Sequence, residues 1–226
     1  MKRILSASTT KAAKGNRYIA LLATTLLWSC ATSPEVGKTP HPDKSQGGNV
    51  PLTKTQEKVI EGSYWALGKS QLKVRDKVFN LDCSGTVMAI YYYAGIDLSR
   101  DFAKYSGGGT ERIFRYLEEK ELLYDTEMPV PGDIIFWDNT YDKNGDGKRN
   151  DKLTHVGIVV EVDEEGTITY LHEHYKKGII LETMNLKIPD DQEKNSAMRM
   201  KGTGMDGGWL SSHLYRILAM AYELEE

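Results

Sequence analysis

The sequence predicts an α+β fold in which N-terminal helices pack on a mainly antiparallel sheet. Three observations carry that expectation. Apolar residues recur at helical spacing between Thr53 and Leu122. From Pro131 onward the apolar segments are short, rich in Val and Ile, and separated by polar or Gly-containing turns. The helices come first and the strands second, with no internal repeat.

The first thirty residues precede that fold and have another purpose. Residues 1–29 hold five basic residues (Lys2, Arg3, Lys11, Lys14, Arg17) and no acidic one. An apolar run from Ile19 to Trp28 follows, broken only by Thr24 and Thr25. It is too short to cross a bilayer as a helix, which takes about twenty residues. A basic start, a short apolar run and a small-residue exit describe a secretory signal peptide. The exit, Leu27-Trp28-Ser29-Cys30, resembles the bacterial lipobox, so Cys30 is expected to become the lipidated first residue. That implies an extracytoplasmic protein anchored to a bacterial membrane, in a Gram-negative cell the outer membrane facing the periplasm.

Residues 30–52 read as the lipidated Cys and a flexible tether: Pro- and Gly-rich, without apolar periodicity, and carrying His41 as a bystander. Residues 53–226 form the single expected domain. Over the whole chain, 29 Lys and Arg face 32 Asp and Glu. Removing residues 1–29 leaves 24 basic against 32 acidic residues, a net charge of −8 on 197 residues. That balance excludes a nucleic-acid footprint, which needs a basic excess. The chain's 13 Tyr and 4 Trp support a packed core, and two Cys exclude a disulfide scaffold or a four-thiolate zinc site.

Within the domain, Thr53-Lys54-Thr55-Gln56 fits a capping box, and Val59, Ser63, Ala66 and Leu67 share a helical face ending at Gly68. After a polar stretch, Asp82 offers an N-cap for a helix with Val87, Ile90, Tyr91 and Ala94 inward, stopped by Gly95. A third helix is expected over Thr110–Leu122, with Ile113, Phe114 and Leu117 inward. Strands follow at 133–137, 155–162, 167–172 and 178–182. Residues 190–212 read as a long polar surface loop, and the period of Leu214–Leu224 leaves helix and strand open.

Cys83 begins the second helix, where unpaired N–H groups and the helix dipole favour a thiolate and where the same amides suit an oxyanion. A nucleophilic thiolate needs a base and something to orient the base. His155, heading one strand, and His172, ending the next, become neighbours if the two strands form a hairpin. The residues alone leave the plainer alternative of a buried small hydrophobe and two structural histidines.

Leu81-Asp82-Cys83-Ser84-Gly85, the helix after it and Ala94-Gly95-Ile96-Asp97-Leu98-Ser99-Arg100 resemble the NlpC/P60 family of cell-wall cysteine peptidases. So do Pro131-Gly132-Asp133-Ile134-Ile135-Phe136-Trp137, His155-Val156-Gly157-Ile158-Val159, and Tyr170-Leu171-His172 with Gly178 six residues on. The motifs occur in order over roughly residues 60–186, and the related CHAP amidases share the plan. The resemblance implies a papain-like core, Cys83 as nucleophile, His155 as general base and His172 as the third polar residue. His174 competes for that third role, and the spacing to Gly178 favours His172. It also places Asp82 and Ser84 beside the substrate and oxyanion. Family members commonly carry a Tyr about a dozen residues before the Cys; here that position holds Gln71, with Tyr64 as a substitute.

A second departure is an insertion between Trp137 and His155. Asp142, Asn144 and Asp146 alternate before Gly147, like the first half of an EF-hand calcium loop. Lys148 would add a carbonyl and Asn150 the ninth-position ligand. Position twelve is Leu153 in place of Glu, so Asp151 would supply the closing carboxylate. An Asn/Asp/Gly turn without an ion is the alternative. Calcium would be structural, and the chemistry needs no cofactor.

The implied function is peptidoglycan hydrolysis through a cysteine thioester, of the D-glutamyl–diamino acid endopeptidase type. A CHAP-like N-acetylmuramoyl-L-alanine amidase is the near rival, and a catalytically silent wall- or partner-binding lipoprotein the distant one. The expected partners are peptidoglycan and, through the lipid anchor, a membrane; the protein is expected to be a monomer.

Overall fold

The computed structural model describes residues 51–199 and 208–224, all within one compact unit, Lys38–Glu226. The signal peptide, Cys30 and nearly all of the tether lie outside the described residues. Among the described residues no helix is long and apolar enough to cross a membrane.

Helix α1 (Lys54–Ala66) starts on the capping box: Gln56 N–H donates to Thr53 Oγ1 at 3.2 Å and Thr53 N–H to Gln56 Oε1 at 3.0 Å. Gln56 Nε2 also donates to Pro131 O at 2.8 Å, so the cap grips the turn that opens the sheet. Val59, Ser63 and Ala66 face inward, but Leu67 caps the helix and is exposed, because the chain leaves helical geometry there. The polar stretch that follows contains a hairpin absent from the sequence reading: β1 (Leu72–Val74) pairs with β2 (Lys77–Phe79). Three-residue strands give the alternation of Leu72, Val74 and Phe79 too little length to stand out from their charged neighbours.

Helix α2 (Cys83–Ala94) is buried on most sides and stops at Gly95, whose φ of 104° is left-handed. Helix α3 (Gly109–Glu119) ends three residues before the expected Leu122. Glu121 turns to a φ of 56° and Leu122 N–H returns to Leu117 O at 3.0 Å, closing the last turn. The freed chain then forms the short strand β3 (Leu123–Tyr124).

Strands β4 (Ile134–Trp137), β5 (His155–Val162), β6 (Thr167–His174) and β7 (Gly178–Asn185) are joined by β8 (Tyr215–Ala219), which follows the single-turn α4 (Ser211–Leu214). The sheet order is β3-β8-β4-β5-β6-β7, and every adjacent pair is antiparallel. The ambiguous C-terminal segment is thus a strand over Tyr215–Ala219, slotted between β3 and β4, followed by a 3-10 turn at Ala221–Glu223. One face of the sheet (Ile134, Phe136, Val156, Ile158, Leu171) packs with the helices; the other (Ile135, Trp137, Val159, Tyr170, Leu218) lies under Leu214, Met220 and Tyr222. Burial on both faces explains why β4 shows no alternation.

The loop expected over 190–212 is anchored where it is described. Ser196 N–H donates to Thr183 O at 2.8 Å, Ala197 bridges Leu210, and Leu210 and Ser211 are buried.

Candidate active site

Asp82 holds an extended backbone and uses one carboxylate oxygen twice, accepting from Gly85 N–H at 2.7 Å and Ser84 Oγ–H at 2.8 Å. Gly85 is required because a Cβ there would lie 2.1 Å from Asn80 O. Ser84 is buried between this cap and Gly109, where a Cβ would lie 2.2 Å from Ser84 Oγ. The Ser84 hydroxyl therefore belongs to the scaffold and is turned away from substrate. The arrangement fixes Cys83 in the first turn of α2, with its free thiol at the cavity.

Cys83 Sγ lies 3.7 Å from Thr110 Oγ1 and within reach of the N–H groups of Val156 and Ser84. Burial nevertheless pushes the thiol up from its ordinary value. The Asp82 charge adds to that, and the hydroxyl and amides only partly oppose it. Desolvation thus works against the thiolate expected from the helix start and outweighs the amides that favour it.

His155 heads β5 directly opposite Trp137 on β4, whose ring lies 5.7 Å away, and Trp137 Nε1 is anchored on Ser211 O at 2.9 Å. Burial, then His172 and His174, hold the His155 imidazole well below the usual histidine range. Both shifts favour the uncharged forms, thiol at Cys83 and imidazole at His155. β5 and β6 do form the anticipated hairpin, and His155 Nε2 lies 2.8 Å from His172 Nδ1. His174, the competitor, also lines the cavity, but its Nδ1 accepts from Lys176 and Lys177 N–H in the next bend, and its ring stacks on Tyr175 at 5.0 Å.

These groups open into a cavity of about 510 Å³ with Cys83, His155 and His172 in its lining. Its walls include Glu173, Tyr175, Tyr141 and Arg199. Gln71 and Tyr64 do not line it. Tyr64 is 54% exposed because Ser63 takes the inward position on α1, and Gln71 is exposed just before buried Leu72.

Residues the sequence did not single out also matter here. Thr110 reaches the sulfur from α3, a contact without a local sequence signal. Glu182 on β7 places Oε2 3.2 Å from His172 Nε2 and Oε1 3.0 Å from Lys177 Nζ. Its even spacing from Gly178 on a strand paired with β6 was the available signal.

In the insertion, Asp142 accepts from Gly145 and Gly147 N–H, Asn144 from Asp146 N–H, and Asp146 from Lys148 N–H and Asn150 Nδ2. These oxygens wrap the loop's own amides, and carboxylate oxygens keep a second lone pair for a hard cation. Asp151 is 6% exposed, and its Oδ2 has no hydrogen-bond partner. Among the described residues no group of three or more His, Cys, Asp or Glu could hold a metal. Oxygens from Asn and backbone would have to complete a shell.

Residues 77–174 match the family model of the CHAP domain. No curated protein matches the chain. The matched stretch begins in β2 and ends at the last residue of β6, so it contains Cys83, His155 and His172 and stops short of Glu182. The chain is thus similar to CHAP domains over residues 77–174, and a CHAP domain implies peptidoglycan hydrolysis of the amidase or peptidase kind.

Proposed function

We propose that the chain cleaves amide bonds of peptidoglycan by a thioester route, with Cys83 as nucleophile, His155 as base and His172 holding His155. The observation that carries this is the 2.8 Å contact between His155 Nε2 and His172 Nδ1 in the cavity that Cys83 also lines. His155 takes the Cys83 proton as sulfur attacks the carbonyl carbon, then gives it to the leaving amine as the C–N bond breaks. Water, deprotonated by the same imidazole, then attacks the thioester, releasing the acid and restoring the thiol. The cap of α2 consumes the N–H groups of Gly85 and Thr86. That of Cys83 is not among them, and it is the donor for the oxyanion.

The bond we assign first is that between D-glutamate and a diamino acid in the stem peptide. The CHAP match favours a second reading, cleavage at the sugar–peptide link by an N-acetylmuramoyl-L-alanine amidase. Purified peptidoglycan digested by the full chain and by its Cys83→Ala variant tests both. Fragments released only by the unsubstituted chain are expected, and their masses identify the bond; equal digests would remove the enzyme and leave a silent binding module.

The lipidated Cys30, the tether and an extracytoplasmic location complete the proposal and are supported by the sequence of residues 1–52. Calcium belongs to it as a structural ion. Asp142, Asn144, Asp146, Asn150 and Asp151 would hold it through side-chain oxygens and Lys148 through its carbonyl, and calcium bound there would stiffen the wall that carries Tyr141.

A further inference from the structure

A hydrogen bond between two imidazoles has no inherent direction. An uncharged imidazole carries one N–H, so either ring can donate to the other. If His172 donates from Nδ1, the hydrogen on His155 is driven to its Nδ1, and His155 cannot then accept the Cys83 proton at that nitrogen. A group outside the pair has to break the tie.

Glu182 stands where such a group is needed. It lies on β7 directly opposite Tyr170, and His172 is two residues further along β6, making Glu182 and His172 diagonal neighbours on one face. Both side chains are withdrawn from solvent, 9% exposed for Glu182 and 3% for His172. Burial alone would raise the Glu182 carboxyl; the hydrogen bond from His172 and the ion pair with Lys177 oppose it, and the group is held below its usual range. An ionised carboxylate can only accept. Oε2, 3.2 Å from His172 Nε2, therefore fixes the His172 hydrogen on Nε2. His172 Nδ1 is left with a lone pair, which takes the His155 Nε2–H at 2.8 Å. His155 Nδ1 is then the bare nitrogen.

We propose that Glu182 is a positioning residue that imposes this tautomer on both histidines and so makes His155 competent as the base for Cys83. The role rests on the hydrolase reading above. Lys177, whose Nζ lies 3.0 Å from Glu182 Oε1, orients the carboxylate from the solvent side. Tyr170 and His174 are the other titratable groups that feel its charge. No proton passes to Glu182. The thiol proton stays on His155 until the amine leaves, and the carboxylate two rings away stabilises the imidazolium meanwhile.

The test uses the full chain labelled with ¹⁵N, because imidazole nitrogen shifts report which nitrogen carries hydrogen. At neutral pH both His155 and His172 are expected as Nε2–H tautomers; an Nδ1–H form dominating at either would overturn the proposal without any variant. Glu182→Gln should mix the tautomers and slow iodoacetamide alkylation of Cys83 on the order of tenfold, as loss of an orienting partner does elsewhere. Unchanged tautomers and rate in that variant would also overturn it. Neither readout involves peptidoglycan, so a chain that cuts no wall but passes both tests refutes the hydrolase reading and leaves the assignment of Glu182 standing.

Discussion

Trp137 fills the space that Gly157 leaves open. A Cβ on Gly157 would lie 3.1 Å from Trp137 Cζ3 and 2.8 Å from Leu171 O. The indole is fully buried beneath His155, so this glycine lets the imidazole rest on an aromatic floor. Gly157→Ala must displace either the ring or the β5–β6 pairing. It is expected to cost about 1–3 kcal/mol, as overpacking a core does, and to lower wall hydrolysis beyond what the unfolded fraction explains. Chemical denaturation alongside a digestion assay checks this; a variant as stable and active as the parent would show that the floor is not tight.

Much of this site is legible in the sequence because its determinants are local. Asp82, Cys83 and Gly85 form a cap, and a cap is written in consecutive residues. His155 and His172 could be brought together by assuming one hairpin, which the structure contains. What escaped depends on distance or register. Thr110 reaches Cys83 from another helix across 27 residues of chain. Glu182 needed the β6–β7 register, which the bend at Tyr175–Lys177 sets and which places Ile180 opposite His172. The helix start that favours a thiolate is visible in sequence, whereas the burial that opposes it is a tertiary property.

The pH dependence follows from those protonation states. His155 is held well below 6.5, so below that pH the unfolded chain binds a proton that the folded chain refuses. Stability therefore rises with pH through the window under 6.5 and is lost on acidification toward the folded-state value. His155→Gln should flatten that part of the curve. In kcat/KM the acid limb should fall below pH 6.5, and the limb from Cys83, raised from 9.0, should lie above pH 9. A thermal-melt series and a pH–rate profile check the two halves separately.

Asp82 both caps α2 and places its charge beside the thiol, and Asp82→Asn separates the two roles. Asparagine caps as well as aspartate, and its carbonyl oxygen can accept from both Ser84 and Gly85, so stability should change by less than about 1 kcal/mol. Removing the charge withdraws one of the influences that raise the Cys83 pKa. The midpoint of alkylation rate against pH should move down relative to the parent. A midpoint unmoved or higher would mean that Asp82 does not act on the sulfur electrostatically.

The insertion gives the last prediction. Lys143 pairs with Glu111 at 3.1 Å and Asp138 with Arg216 at 2.7 Å, so the loop is tied at two points to the body that carries the cavity. Tyr141 and Thr140, just before Asp142, line that cavity. An ion held by Asp142 and Asp146 would stiffen the cavity wall and leave the Cys83–His155 chemistry alone. Calcium at about a hundredfold over its dissociation constant should stabilise the fold by about 2.7 kcal/mol. Chelation should raise KM for wall fragments with kcat little changed. Asp142→Asn should weaken the calorimetric signal for calcium. If calcium produces no heat and no melting shift in the parent chain, the loop is an Asn/Asp/Gly turn satisfied by its own amides.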